Sequence, residues 1–147
     1  MEPEQVDYGQ QLADAVDLVL AGWVVRSVVR FRSDLRAEAE VAGETARCEI
    51  GQRLRELLAT DLDSQRVNPL AILRSAARYP TAVLTKAGVR PVSREPFAVE
   101  AFPDDIYNLA VATWSDIDPA LQDAGISWSA WKAHEFLRRR RAEGKLS

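Results

Sequence analysis

Cysteine and histidine are nearly absent from this chain. Among 147 residues there is one of each, Cys48 and His134. A lone cysteine forms no internal disulfide, and one Cys plus one His falls short of a structural zinc site. No metal and no cofactor are therefore expected. The 7 glycines are scattered, with neither GxxxxGK[ST] nor GxGxxG, so a phosphate-cradling loop is missing. GxSxG is missing too, and no nucleophile neighbours His134 in sequence. Both absences weigh against triad chemistry. Long apolar runs are also lacking. Leu18–Val25 is uninterrupted, far short of the ~20 residues of a membrane span. The polar, acidic start MEPEQVDYGQQ differs from a secretory leader. These features lead us to expect a cytoplasmic protein, with Cys48 a reduced, half-buried thiol.

What remains is ordinary in amount and uneven in layout. The chain is 47% hydrophobic and 28% charged, enough to build a core and stay in solution as one domain. Its net charge of −3 conceals four blocks. Residues 1–67 carry −5, 68–98 carry +4, 99–131 carry −6 and 132–147 carry +4. Only 3 of the 19 basic residues are Lys. Arginine's planar fork suits carboxylates and phosphates, so the +4 and −6 blocks are candidates to meet. Arg74, Arg78 or Arg94 would then pair with Asp104 or Asp105, a bland internal use of the charge.

The hydrophobic spacing predicts an all-α fold. Over 8–32, Val24, Val25, Val28, Val29 and Phe31 share one arc and Arg26, Ser27 and Arg30 the other, a helical period. A strand over 23–31 is the rival, because the valines are β-branched. Over 34–60, Leu35, Ala39, Ala42, Ala46, Ile50, Leu54 and Leu57 advance by three or four. Small residues crowd the first half of that stripe and large ones the second. The expected arrangement is an antiparallel pair docked closely at one end.

Residues 61–67 read as a connector, and Asn68-Pro69 as a helix start carrying Leu70, Leu73 and Ala77. Pro80 divides that helix from a second short one ending at Gly88. Val89–Pro103 holds three prolines and reads as an extended loop. Pro103-Asp104-Asp105 should open a short helix, and Asp118-Pro119 another that ends at Gly125. Ser127 or Ser129 then caps a last helix to about Arg141, leaving 142–147 as a tail. The expected whole is one helical domain, with the long pair at 8–60 and a short-helix, loop-rich half at 68–141.

Four segments carry a resemblance: DLDSQRVNPL (61–70), LRSAARYPTAVLTKAGVRPVSREPF (73–97), FPDDIYNLA (102–110) and DPALQDAGISWSAWKAH (118–134). Together they resemble a family of uncharacterised actinobacterial proteins, over about half the chain. The resemblance implies a bacterial housekeeping or regulatory protein. It carries no activity and no catalytic residue.

Three functional readings follow. The leading one is a non-enzymatic helical interaction or regulatory protein with a protein partner or self-association. Its surface would combine Arg74, Arg78, Tyr79 and Arg94 with Trp114, Trp128 and Trp131, since Arg and Trp are enriched at binding hot spots. The last helix is unusual in having two apolar faces. Ile126, Ala130, Ala133 and Leu137 form one stripe, and Trp128 and Trp131 lie nearly opposite. Such a helix is either sandwiched in a core or anchors a partner. The second reading is nucleic-acid contact through Arg138, Arg139, Arg140 and Arg141. The third is an enzyme using Asp104 and Asp105 on an anionic substrate. The plain alternatives are a solvated helix end for the arginines and helix capping for the aspartates.

Overall fold

The computed structural model describes residues 7–59 and 69–142. The expected connector, the Asn68 cap and most of the tail lie outside the described residues, as do the side chains of Phe136, Arg139 and Arg140.

Asp7 caps the first helix by accepting from the backbone N–H of Gln10 at 2.9 Å. Helix α1 then runs Tyr8–Val29, so 23–29 is helical, 30–31 is a turn, and no strand forms there. It buries Leu12, Val16, Leu20, Trp23, Val24 and Val28, steps of three or four that keep one face inward. Ser27 is the one polar side chain in that buried set, and its hydroxyl donates to the Trp23 carbonyl at 2.9 Å. A 3-10 turn at Ser33–Leu35 reverses the chain. Helix α2, Arg36–Leu58, returns alongside.

The pair is antiparallel, as the close approaches show. Gly43 lies over Ala21, Gly51 over Asp17 and Gly9 over Leu58. A Cβ on Gly43 would stand 2.8 Å from the Ala21 carbonyl oxygen, so glycine there sets how near the backbones come. Toward the other end, Arg55 reaches across to Asp14 at 3.1 Å and Asp17 at 2.5 Å.

Helices α3, Pro69–Ser75, and α4, Arg78–Lys86, follow. Pro80 falls in the first turn of α4, where its missing N–H costs no helical bond. Gly88 ends the segment at φ +76°, the left-handed conformation that favours glycine. Two expectations fail next. The stretch read as wholly extended contains helix α5, Pro96–Ala101, because Pro96 serves as a first-turn residue. The helix expected from Pro103 does not form; residues 103–108 are turns, with Asn108 at φ 57°.

That turn region is tied down by specific bonds. The Val92 N–H donates to Ile106 O at 3.1 Å, and the Tyr107 hydroxyl donates to Val89 O at 2.6 Å. The buried Tyr107 ring meets Phe31 edge-on at 5.6 Å. A 3-10 turn at Trp114–Asp116 leads into helix α6.

Helix α6 spans Pro119–Ala142 without a break. The expected stop at Gly125 and the restart at Ser127 or Ser129 are therefore incorrect. Gly125 serves another purpose. A Cβ there would stand 2.6 Å from three atoms of the Trp114 indole, so the glycine seats an aromatic ring on the helix backbone. Helix α1 is central, packing against α2, α4 and α6. Among the described residues there is no strand, and the fold is all-α as the spacing predicts. None of the described helices is long and apolar enough to cross a membrane.

Candidate interaction surface

The residues singled out by type fall into separate settings. Arg74 is half-buried, and its Nε donates to the Val111 carbonyl at 3.1 Å. Arg94 donates to the Phe102 carbonyl at 2.6 Å, at the end of α5. Cations there meet the negative end of the helix dipole. Arg78 is exposed and lies over the Tyr79 ring, 5.0 Å from its centroid. It donates to the Tyr79 hydroxyl at 2.9 Å, and that hydroxyl donates to Glu49 at 2.5 Å. Burial, followed by the bond to Glu49, holds the Tyr79 phenol protonated above its usual range. The Arg78–Tyr79–Glu49 chain thus fastens α4 to α2.

Arg74 and Arg78 share an open cleft of about 330 Å³ with Phe102, Asp104 and Asp105. The two charge blocks face one space here, yet the ion pair of Arg78 is with Glu49, at 3.6 Å. Asp105 is committed to the backbone, accepting from Leu109 N at 2.7 Å and Ala110 N at 2.9 Å. These bonds hold the turn around Asn108, where a local side-chain acceptor is favoured. Asp116 acts similarly at the 3-10 turn, accepting from Ala112 N and Thr113 N. Asp118 accepts from Ala120 N at 2.9 Å, at the start of α6. Asp104 is exposed.

The tryptophans lie against the body of the protein. Trp128 is buried, with Lys132 over its ring at 5.2 Å. Half-buried Trp131 is 6.0 Å from Tyr8, and Trp114 covers Gly125. Leu121 and Trp128 mark the buried side of α6. The opposite side carries Ile126, 55% exposed, Ala130, Ala133, and Leu137, 47% exposed. Of the two apolar faces, the tryptophan face packs and the Ile-Ala-Ala-Leu face is open. About half of each of the two large residues on that stripe faces water.

A second apolar feature lies between α2 and α4. It is a groove of about 590 Å³ lined by Leu35, Val41, Ala42, Val83 and Ala87, with Glu38 and Lys86 at its edges. Sequence spacing did not find it. The available signal was Val41, an apolar residue off the buried stripe of α2 and 70% exposed.

Of the basic run, Arg138 pairs with Glu135 at 2.9 Å, and Arg141 is exposed. His134 is exposed on the surface of α6. Cys48 is exposed rather than half-buried, because it lies outside the α2 stripe. Its Sγ is 3.7 Å from Arg47 and 3.9 Å from Glu44, which pair with each other. Among the described residues no group of His, Cys, Asp and Glu could hold a metal ion.

No protein-family model matches the chain, and no curated protein or solved structure matches it.

Proposed function

We propose that this protein is a non-enzymatic helical interaction module whose contact surface is the outer face of α6. The observation behind this reading is the open stripe Ile126–Ala130–Ala133–Leu137 on the side of α6 away from buried Leu121 and Trp128. A solvated helix would normally present polar groups there. Spacings of four, three and four are those of a helix-packing seam. The partner is accordingly a protein that offers a helix.

The polar chemistry points the same way. Asp105, Asp116 and Asp118 are engaged with backbone N–H groups, and Arg74 and Arg94 with carbonyls. These groups shape turns and helix ends. Arg78 is exposed on α4, whereas Tyr79 is buried and bonded to Glu49, so neither forms part of the α6 surface proposed.

The reading is tested by a photo-crosslinking residue placed at Ala130, with a control at exposed Thr85 on α4. The expected result is covalent protein adducts from position 130 that disappear on Leu137→Asp. Equal adduct yields from both positions, or none from 130, would refute it.

A further inference from the structure

The α6 stripe has a symmetry that identifies its partner. We infer that it pairs with the same stripe of a second copy of this chain, antiparallel, about a two-fold axis between Ala130 and Ala133. This rests on the reading of α6 as the contact surface and names what it contacts.

Size complementarity is the first argument. The stripe runs large, small, small, large over Ile126, Ala130, Ala133 and Leu137. Turned end for end, it presents the same profile. Ile126 of one copy then meets Leu137 of the other, and Ala130 meets Ala133. The alanines at the centre let the helix axes approach to about 8 Å, the close end of helix packing. The large residues close the two ends, about 16 Å apart at 1.5 Å rise per residue.

Charge is the second argument and fixes the direction. Asp123 and Arg141 are both exposed. They are 18 residues apart, five full turns at about 3.6 residues each, so they occupy the same flank of the stripe. They also sit at nearly equal distances on either side of its centre. A two-fold axis across antiparallel helices brings like flank to like flank, so Asp123 of each copy meets Arg141 of the other. Parallel pairing about a two-fold axis would instead carry the two Asp123–Arg141 flanks to opposite sides of the seam, and neither charge pair would form. The helix dipoles favour the antiparallel arrangement too.

A single helix pair buries less than the roughly 1,200–2,000 Å² typical of stable complexes. The dimer should therefore form with rising concentration and dissociate on dilution.

Sedimentation velocity from about 5 µM to about 1 mM provides the first test, a span that covers affinities of that order. A monomer–dimer equilibrium is expected for the unaltered chain. Leu137→Asp should weaken it by about tenfold or more, and Asp123→Arg should weaken it less. Both positions are exposed, so the far-ultraviolet circular dichroism of each variant should be unchanged.

Direction is read by disulfide trapping in a Cys48→Ser background. Mixed Ile126→Cys and Leu137→Cys chains should cross-link to each other, and neither should cross-link alone. Cross-linking of each variant with itself would overturn the antiparallel geometry. A chain that stays monomeric across the whole range would overturn self-association. In that case, adducts from position 130 with a different protein would leave the interaction reading standing, and their absence would end both.

Discussion

Gly43→Ala is the sharpest test of how the two long helices meet. The added Cβ would stand 2.8 Å from the Ala21 carbonyl oxygen and 3.2 Å from the Ala21 Cα. Ordinary contact begins near 3.4 Å, so the helices must separate by about 0.6 Å at this point. Both obstacles are backbone atoms, which no rotamer change can move. Overpacking of this kind costs about 1–3 kcal/mol. Alanine recovers up to about 1 kcal/mol of helix propensity relative to glycine. The expected net is a loss of about 1–2 kcal/mol, or roughly 2–8 °C in Tm for a chain this long.

Gly22→Ala is the matched control on the same helix pair. Its Cβ would meet only the Arg26 guanidinium end at 3.2 Å, a flexible side-chain tip that need yield only a few tenths of an ångström while keeping its 3.0 Å bond to the Ile117 carbonyl. There the propensity gain should dominate, stabilising by about 0.5–1 kcal/mol. Urea denaturation followed by circular dichroism measures both. Equal stabilisation by the two substitutions would refute the argument that backbone approach at Gly43 determines the helix separation.

Gly125→Ala should push the Trp114 indole off α6, since three ring atoms stand 2.6 Å from the new Cβ. A loss of about 1–3 kcal/mol is expected, with a change in tryptophan emission; wild-type stability and emission would contradict the seating. Asp105→Ala should cost about 1–2 kcal/mol by freeing the N–H groups of Leu109 and Ala110, with Asp105→Asn intermediate because one acceptor oxygen survives. Thermal melts of the two variants decide it, and an unchanged Asp105→Ala melt would count against the turn assignment. Tyr79→Phe keeps the ring and removes the link to Glu49, for a loss of about 1 kcal/mol in the same assay. Glu44 titrates below the ordinary carboxylate range because Arg47 hydrogen-bonds its ionised form. A depressed folded-state pKa means that its contribution is complete above the ordinary value and is lost as pH falls through the depressed one. A nuclear magnetic resonance titration showing an ordinary Glu44 value would remove that pair.

Much of the fold was legible because its determinants are local. The stripe from Leu35 to Leu54 specifies a helix by period alone, and its small residues foretell the close approach found at Gly43. Gly88 is read correctly as a left-handed stop. Pro96 suits a helix opener, but its place among three prolines in 89–103 reads as loop. Asp105 was recognised as a capping type of residue, though in the wrong structure. Its acceptors serve a turn that depends on Asn108 adopting a positive φ. Of the candidate surface, the stripe from Ile126 to Leu137 was visible as a pattern. Its exposure was not, because the tryptophan face offered an equally apolar alternative.

The chain's own order of residues thus determined that it is helical and where most helices lie, with Gly88 and Asp118 at helix ends. These are interactions within a few residues, and near-neighbour chemistry is written in the sequence. The tertiary structure decided which side of α6 is buried, and why Gly125 is a glycine. Both depend on the position of Trp114 and on α1, residues far away along the chain. Burial is a competition between faces for one core. On α6 the larger tryptophan face wins it, leaving Ile126, Ala130, Ala133 and Leu137 exposed.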